Sequence, residues 1–336
     1  FIQSFIHFKK KFYSLKKDRI FGVTIHPESK KDISMAKQFL NFYNTNENKK
    51  LVNIHKTKRT KDCLKYEKKK LKSDGSKLYK SYDNGDLTNV KTISNFKSDI
   101  KKSKKYADLV TADGGFVWDD ENYQEMEAYK LILGQMVGAI RVQSKGGHFV
   151  LKLFETFTNL SLKMIFLVSS FYNECFIYKP FYSRTSNSEK YVIFKDFKYD
   201  QTKDSKFLDS KISLFEEILK QLSSSDFSDK FLNDILPDME LPNDFVNVFV
   251  YLNTKIANKQ QIMINHIVSY IKENNYYGEK YHNYKKVQID ETKKWSESYF
   301  PDVKEFSKTL KSFKTSKDKI LDYNSKEIKL FVSKMS

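Results

Sequence analysis

The chain has 336 residues and a formal net charge of +18, from 60 Lys and Arg against 42 Asp and Glu, and 15% of it is aromatic. One large domain, or a core with a smaller appended part, is expected at that length, and a sizeable core can be buried. Only two cysteines, Cys63 and Cys175, are present, which excludes a disulfide scaffold and a thiolate zinc site and suits a reducing compartment.

The six histidines lack ligand spacing, so no structural metal is expected. The most apolar stretch, residues 161–180, is interrupted by Lys163, Asn173 and Glu174 and is too broken to span a bilayer, so no membrane partner is expected. Excess positive charge with abundant aromatic rings suits a polyanionic partner, although heavy lysine use equally fits an AT-rich genome. The sequence begins at Phe1 without a small-residue cleavage pattern. It therefore reads as a non-secreted fragment that starts inside a domain.

Residues 1–12 place Phe1, Ile2, Phe5, Ile6, Phe8 and Phe12 near a helical period, with lysines gathered at the end. Residues 19–25 read as a short buried strand and 32–42 as a weak helix. Lysine dominates 55–80, either as a solvated loop or as an RNA contact. Residues 82–88 are a turn-rich strand exit, on which Asp86 either accepts hydrogen bonds from an amine or hydroxyl or caps the following helix.

After a second lysine cluster at 101–105 come a strand at 107–112, the turn Asp113-Gly114-Gly115, and a helix over 122–142. Met126, Tyr129, Leu133, Met136 and Ile140 step by three and four along one face of that helix. Gly146 and Gly147 are read as ending this unit. A strand at 149–154, an apolar helix at 158–172 and strands at 175–178 and 191–194 follow.

Strands alternating with helices predict a mostly parallel, helix-covered sheet. The short link between the last two strands makes them antiparallel neighbours at one edge. Beyond 204 the pattern is helical. One stripe is Leu208, Ile212, Phe215, Leu219 and Leu222; a longer one is Phe245, Phe249, Leu252, Ile256, Met263, Ile267 and Tyr270. Pro237 and Pro242 separate them, and a lysine-rich helix is expected near 316–334.

In an open parallel sheet, ligands sit at the carboxyl ends of the strands. Asp113 directly follows one strand, Lys152 lies in the next with Glu155 beyond it, and Glu189 introduces a third. Together they would form a charge network that aims the lysine nitrogen. Singly, Asp113 reads equally as a turn residue, Lys152 as a snorkelling edge lysine and Glu189 as a solvated charge.

Three segments decide between these readings: Ala107-Asp108-Leu109-Val110-Thr111-Ala112-Asp113-Gly114-Gly115-Phe116, Gly146-Gly147-His148-Phe149-Val150-Leu151-Lys152-Leu153-Phe154, and Lys179-Pro180 with Ser183-Arg184 and Asn187-Ser188-Glu189-Lys190-Tyr191. Through them the chain resembles the FtsJ-type, Rossmann-like RNA 2′-O-methyltransferases over roughly residues 1–197. Within that family it is similar to the cap-specific mRNA enzymes of eukaryotes and large DNA viruses.

The resemblance implies an α/β Rossmann-like methyltransferase core at 1–200, mostly parallel with an antiparallel edge strand, and a helical C-terminal extension at 201–336. It implies methyl transfer from S-adenosylmethionine to a ribose 2′ hydroxyl of capped mRNA, in the cytoplasm, a viral factory or the nucleus, with other capping-enzyme subunits as candidate partners. A ribosomal or transfer RNA 2′-O-methyltransferase and a non-catalytic RNA-binding subunit of the same fold are the alternatives.

Asp113, Lys152 and Glu189 match the last three members of the family's Lys-Asp-Lys-Glu tetrad. Phe1, Gly22, Thr24, Asp86 and Asp113 match positions around the cosubstrate, and Ser183, Arg184 and Asn187 lie where RNA would pass. Arg184 is the phosphate candidate because its planar fork suits phosphate oxygens, and Trp118, placed after the Asp113 turn, is the candidate for stacking on the cap. The family's Gly-rich loop and first lysine fall upstream of Phe1, and Lys9, Lys10 and Lys11 come too late to replace that lysine. This segment alone is therefore expected to be weak or inactive.

Overall fold

Alternating apolar runs and amphipathic stretches fold into the expected α/β core. The computed structural model describes residues 2, 5–6, 9, 18–25, 45, 51–55, 83, 85–103, 105–115, 120–180, 183–223, 232–275 and 277–299. Phe1, the expected helices at 32–42 and 316–334, lysine-rich residues 56–80 and Trp118 lie outside them. The chain divides into two compact units, Phe1–Lys255 and Ile256–Ser336.

In the first unit, β1 (Ile20–Gly22) pairs in parallel with β2 (Val52–Ile54). A four-stranded sheet has the order β3 (Ala107–Ala112), β4 (Gln143–Leu153), β6 (Lys190–Phe197), β5 (Tyr172–Tyr178). β3 and β4 are parallel, and β6 is antiparallel to both β4 and β5. Three strands thus share one direction. The expected antiparallel pair does lie at one edge, with β5 as the margin and the reversed strand, β6, one place inside it.

α1 (Val90–Lys101) starts at Asn89, whose side chain accepts from the Lys91 amide at 2.9 Å. Asp86 is therefore not the helix cap. Its carboxylate accepts from the Thr88 amide at 2.9 Å, closing a turn before the helix.

α2 (Gln124–Val142) follows a short 3-10 turn at Glu121–Tyr123. Tyr129, Leu133, Met136 and Ile140 of its predicted stripe are buried, and Met126 packs against them. From Leu133 to Val142 every residue is buried, because the sheet covers one side while α1 and α4 (Ser205–Leu222) pack on others. Truncating Leu133 or Met136 to Ala would cost about 2–5 kcal/mol in such a setting.

All five residues of the 208–222 stripe are buried. Arg141 at the end of α2 fastens α4 by donating to Glu216 at 2.8 Å and pairing with Asp209. α3 (Asn159–Ser169) is capped by Thr158, whose hydroxyl accepts from the Ser161 amide at 3.2 Å.

Gly146 and Gly147 do not end the α2 unit. The chain passes from α2 straight into β4 at Gln143, and the register against β3 jumps between Ala107 and Leu109 as the glycines bulge out. Gly146 has φ of +79°, and a Cβ on Gly147 would sit 2.4 Å from Gln143 Nε2, so both positions favour glycine.

β2 escaped the sequence reading. Its three residues, with Asn53 exposed between Val52 and Ile54, are too few to display a period.

α5 (Asn243–Lys272) sets Phe245 edge-on to Phe166 of α3 and buries Phe249, both within the first unit. In the second unit, Tyr270 of α5 meets Tyr284 of α6 (Gly278–Tyr299) at 5.2 Å, and Ile267 of the predicted long stripe is exposed. Among the described residues, no helix is long and apolar enough to cross a membrane.

Candidate active site at the strand ends

β3 and β4 run in parallel, so Asp113 just after β3 and Lys152 near the end of β4 emerge on the same edge of the sheet. β6 runs the other way, and Glu189 therefore reaches that edge from immediately before the strand's start. Lys152 Nζ lies 2.6 Å from Asp113 Oδ1 and 3.9 Å from Glu189 Oε2. The nitrogen also lies over the Phe154 ring, 5.3 Å from its centroid, a cation–π contact. Asp113, Gly114, Gln124, Glu125, Lys152, Phe154 and Glu155 line a concavity.

Tyr191 pairs with Lys152 in the ladder, so its side chain shares that face. Its hydroxyl donates to Glu189 Oε1 at 3.0 Å. Burial first, then the Glu189 carboxylate, pushes the phenol up to about 12, so it remains a donor at neutral pH. The two oxygens of Glu189 are thereby divided: one accepts from Tyr191 and the other faces Lys152.

Two further lysines border the cluster. Lys179 Nζ reaches the Glu189 carbonyl at 2.7 Å, the Asn187 carbonyl at 3.0 Å, Asn187 Oδ1 at 3.2 Å and Ser183 Oγ at 3.3 Å. Burial lowers its pKa against the pull of Glu189. Lys190 is buried and donates to the Phe154 carbonyl and, at 3.4 Å, to the Ser188 carbonyl. Burial brings it down to about 8, opposed by Glu155 and Glu125. In the sequence Lys179 and Lys190 stand out only as members of a motif; the carbonyls they hold come within reach only when the chain folds.

Around the expected cosubstrate positions, Gly22 ends β1 and its carbonyl accepts from the His55 amide at 2.8 Å; Thr24 is exposed just beyond. The Asp86 turn and the Asp113 turn are anchored on consecutive residues of α2. A Cβ on Gly134 would lie 2.2 Å from the Leu87 carbonyl oxygen, and Gln135 Oε1 accepts from the Gly114 amide at 2.7 Å. Gly134 and Gln135 thus bring two distant loops together, although in the sequence Gly134 is one more glycine inside a helical pattern.

Ser183 and Asn187 are drawn in by Lys179. Arg184 is exposed, its carbonyl accepts from the Asn187 amide, and among the described residues no carboxylate pairs with its guanidinium. It is thus not spent on a salt bridge that holds the loop.

A more deeply buried cluster lies outside the expected site. His55 Nε2 meets Asp83 Oδ2 at 2.9 Å and its Nδ1 meets Asp99 Oδ2 at 2.8 Å. Asp83 also accepts from Thr92 Oγ1 (2.9 Å), Asn95 Nδ2 (2.7 Å) and the Gly85 amide (3.2 Å). The Asp83 bond raises the His55 pKa most, against the effect of burial, and Asp99 adds to the rise. Burial alone would lift Asp83, but the donors from His55, Asn95, Thr92 and Gly85 outweigh it and hold the carboxyl well below the usual range.

The family model described as FtsJ-like methyltransferase matches residues 10–197. The protein named cap-specific mRNA (nucleoside-2'-O-)-methyltransferase 1 of Mus musculus is 36% identical over 136 residues, 38% of this chain and 16% of that relative. The Caenorhabditis elegans protein of the same name is 29% identical over 199 residues, 58% of this chain and 21% of the relative. That of Leishmania braziliensis is 38% identical over 115 residues, 34% of this chain and 28% of the relative. The chain matches less than a third of the length of each. The family match takes in more than half of the chain, and its three motif segments meet at one edge of one sheet: the chain belongs to the FtsJ-like methyltransferase family.

Proposed function

We propose that the protein transfers a methyl group from S-adenosylmethionine to a ribose 2′ oxygen of capped mRNA. The observation that carries this reading is Lys152 between Asp113 and Glu189 at the strand ends, with one short and one long contact. Family membership, the names of the relatives and the net charge of +18 support it.

Bound S-adenosylmethionine supplies an electrophilic methyl on a sulfonium. A ligand with a cationic centre and hydroxyl groups calls for carboxylate acceptors. Asp86 and Asp113 fit that need, since their turns converge on Gly134 and Gln135. Gly22 and Thr24 at the end of β1 join the proposed holding set, and Phe1, outside the described residues, would extend it.

A neutral hydroxyl is a weak nucleophile, so it must be oriented and relieved of its proton as the oxygen–methyl bond forms and the sulfur–methyl bond breaks, the sulfur leaving as a neutral thioether. Lys152 takes that role. Asp113 draws its nitrogen from one side, while Glu189, itself held by Tyr191, bounds the other. The amine form of Lys152 takes the proton, and the ammonium so formed is held by Asp113 and faces Glu189. Arg184 takes a phosphate beside Ser183 and Asn187. Residues 1–200 carry the transfer chemistry in this reading, and the helices of 201–336 support it or dock RNA or another capping subunit.

The test is methyl transfer by the full-length chain to RNA with and without an m7G cap. Cap-dependent 2′-O-methylation is expected. Equal methylation of uncapped ribosomal or transfer RNA would replace the substrate assignment, and RNA binding without transfer would replace the enzyme by a non-catalytic subunit.

A further inference from the structure

Glu189 occupies a position that the sheet itself does not fix. The β4–β6 ladder ends at the Leu153–Lys190 pair, so Glu189 lies one residue outside regular pairing, at the end of a loop that begins at Lys179. A carboxylate on a loop end would wander relative to Lys152 unless other bonds replaced the missing rung.

Two lysines supply them. The Glu189 carbonyl accepts from Lys179 Nζ at 2.7 Å and the preceding carbonyl, of Ser188, from Lys190 Nζ at 3.4 Å. Lys190 also donates to the Phe154 carbonyl, two residues beyond Lys152, and so ties the loop to the strand that bears that lysine. Lys179 gathers in Asn187 and Ser183 with its remaining protons, and Ser188 Oγ closes the outer side by donating to Glu155 Oε1 at 2.9 Å.

Burying a cation is costly, and hydrogen bonds from a charged donor are roughly twice as strong as neutral ones. A fully buried lysine spent on backbone carbonyls makes sense where the position of a backbone segment matters.

We infer that Lys179 and Lys190 are positioning residues for the transfer reaction, clamping the Ser188–Glu189 backbone so that the Glu189 carboxylate faces Lys152. This rests on the reading of the cluster as the methyl-transfer site. Neither lysine touches substrate; each acts through Glu189.

The experiment compares the full-length wild type with Lys179→Met, Lys179→Arg and Lys190→Met by steady-state kinetics, thermal unfolding and amide hydrogen exchange. For Lys179→Met, kcat should fall about tenfold to a hundredfold, the loss typical of a misplacement near 1 Å. KM for S-adenosylmethionine and the melting temperature should stay near wild type, while exchange quickens over residues 183–189 alone. Lys179→Arg should recover part of kcat. Lys190→Met should show the same kinetic split with a lower melting temperature.

Wild-type kcat in Lys179→Met despite faster local exchange would overturn the positioning role, as would a loss of kcat matched by loss of protection throughout the fold. Unchanged exchange over 183–189 would overturn the clamp itself. A wild type that transfers no methyl, with exchange still quickened by Lys179→Met, would leave the clamp standing and bring down the proposed reaction.

Discussion

Two clusters in the first unit set a basic side chain between two carboxylates, and they differ in contact geometry and in exposure. Around Lys152 the contacts are unequal, 2.6 Å to Asp113 and 3.9 Å to Glu189, and the Asp113 side chain is 61% exposed. Around His55 they are nearly equal, 2.9 Å to Asp83 and 2.8 Å to Asp99, and His55 and Asp83 are sealed from solvent. Three further donors saturate Asp83. The saturated Asp83 carboxylate has no lone pair to offer a ligand. This cluster fastens the residue after β2 to both the beginning and the end of α1. The other has an open side, with Asp113 exposed and Glu189 3.9 Å from the Lys152 nitrogen, as a site that admits a ligand requires.

The sharpest way to break this contrast is to remove each centre in turn. Lys152→Ala should lower methyl transfer by about 10²–10⁴-fold, the range for a lost acid–base group, while RNA affinity and melting temperature hardly move. If transfer survives, the proposed role of Lys152 is wrong. Asp83→Ala should do the reverse. It strands a buried imidazole and three donors, and should cost about 3–5 kcal/mol in urea unfolding. A stable Asp83→Ala would mean that the cluster anchors nothing.

The difference also explains what the sequence disclosed. Asp113, Lys152 and Glu189 each stand at or near an apolar run, and strand ends at the carboxyl edge of a sheet are a shared address that a linear reading can recover. The stripes of α2 and α4 were equally legible, because a period of 3.6 is local.

His55 and Asp83 are 28 residues apart, Arg141 and Glu216 are 75, and no local pattern announces such pairs. His55 looked like the first residue of a lysine-rich loop. Asp86 offered two roles to a sequence reader. The helix cap went to Asn89, three residues later, because the Asp86 carboxylate was already closing its own turn. The strand start at Gln143 was hidden by Gly146 and Gly147, which mark a bulge rather than a break.

Gly134 tests whether the open site depends on packing behind it. Its Cβ position lies 2.2 Å from the Leu87 carbonyl, a backbone atom that cannot swing aside as a side chain would. Gly134→Ala must push the Asp86 turn away from α2, at a cost of about 1–3 kcal/mol for overpacking. Because Lys152 on β4 and Glu189 before β6 are held by other elements, KM for S-adenosylmethionine should rise more than kcat falls. A fall in kcat alone would show that the Asp86 turn takes no part in holding the cosubstrate.

The smallest effect expected is a pH dependence that belongs to one cluster only. The folded pKa of His55 lies above its unfolded value of about 6.5, so its contribution to stability is fully present below that pH and is lost as pH rises through the folded value. The folded pKa of Asp83 is depressed, so its contribution is present above about 3.9 and is lost as pH falls towards the folded value. Both act together between about pH 4 and 6.5, and the His55 share fades on the alkaline side. Urea unfolding of the wild type should therefore lose more stability between pH 6 and 9 than that of His55→Asn, which has no imidazole to titrate. Parallel losses in the two proteins would mean that the Asp83 and Asp99 carboxylates do not hold a proton on His55, and the likeness between the two clusters would then reduce to geometry without charge.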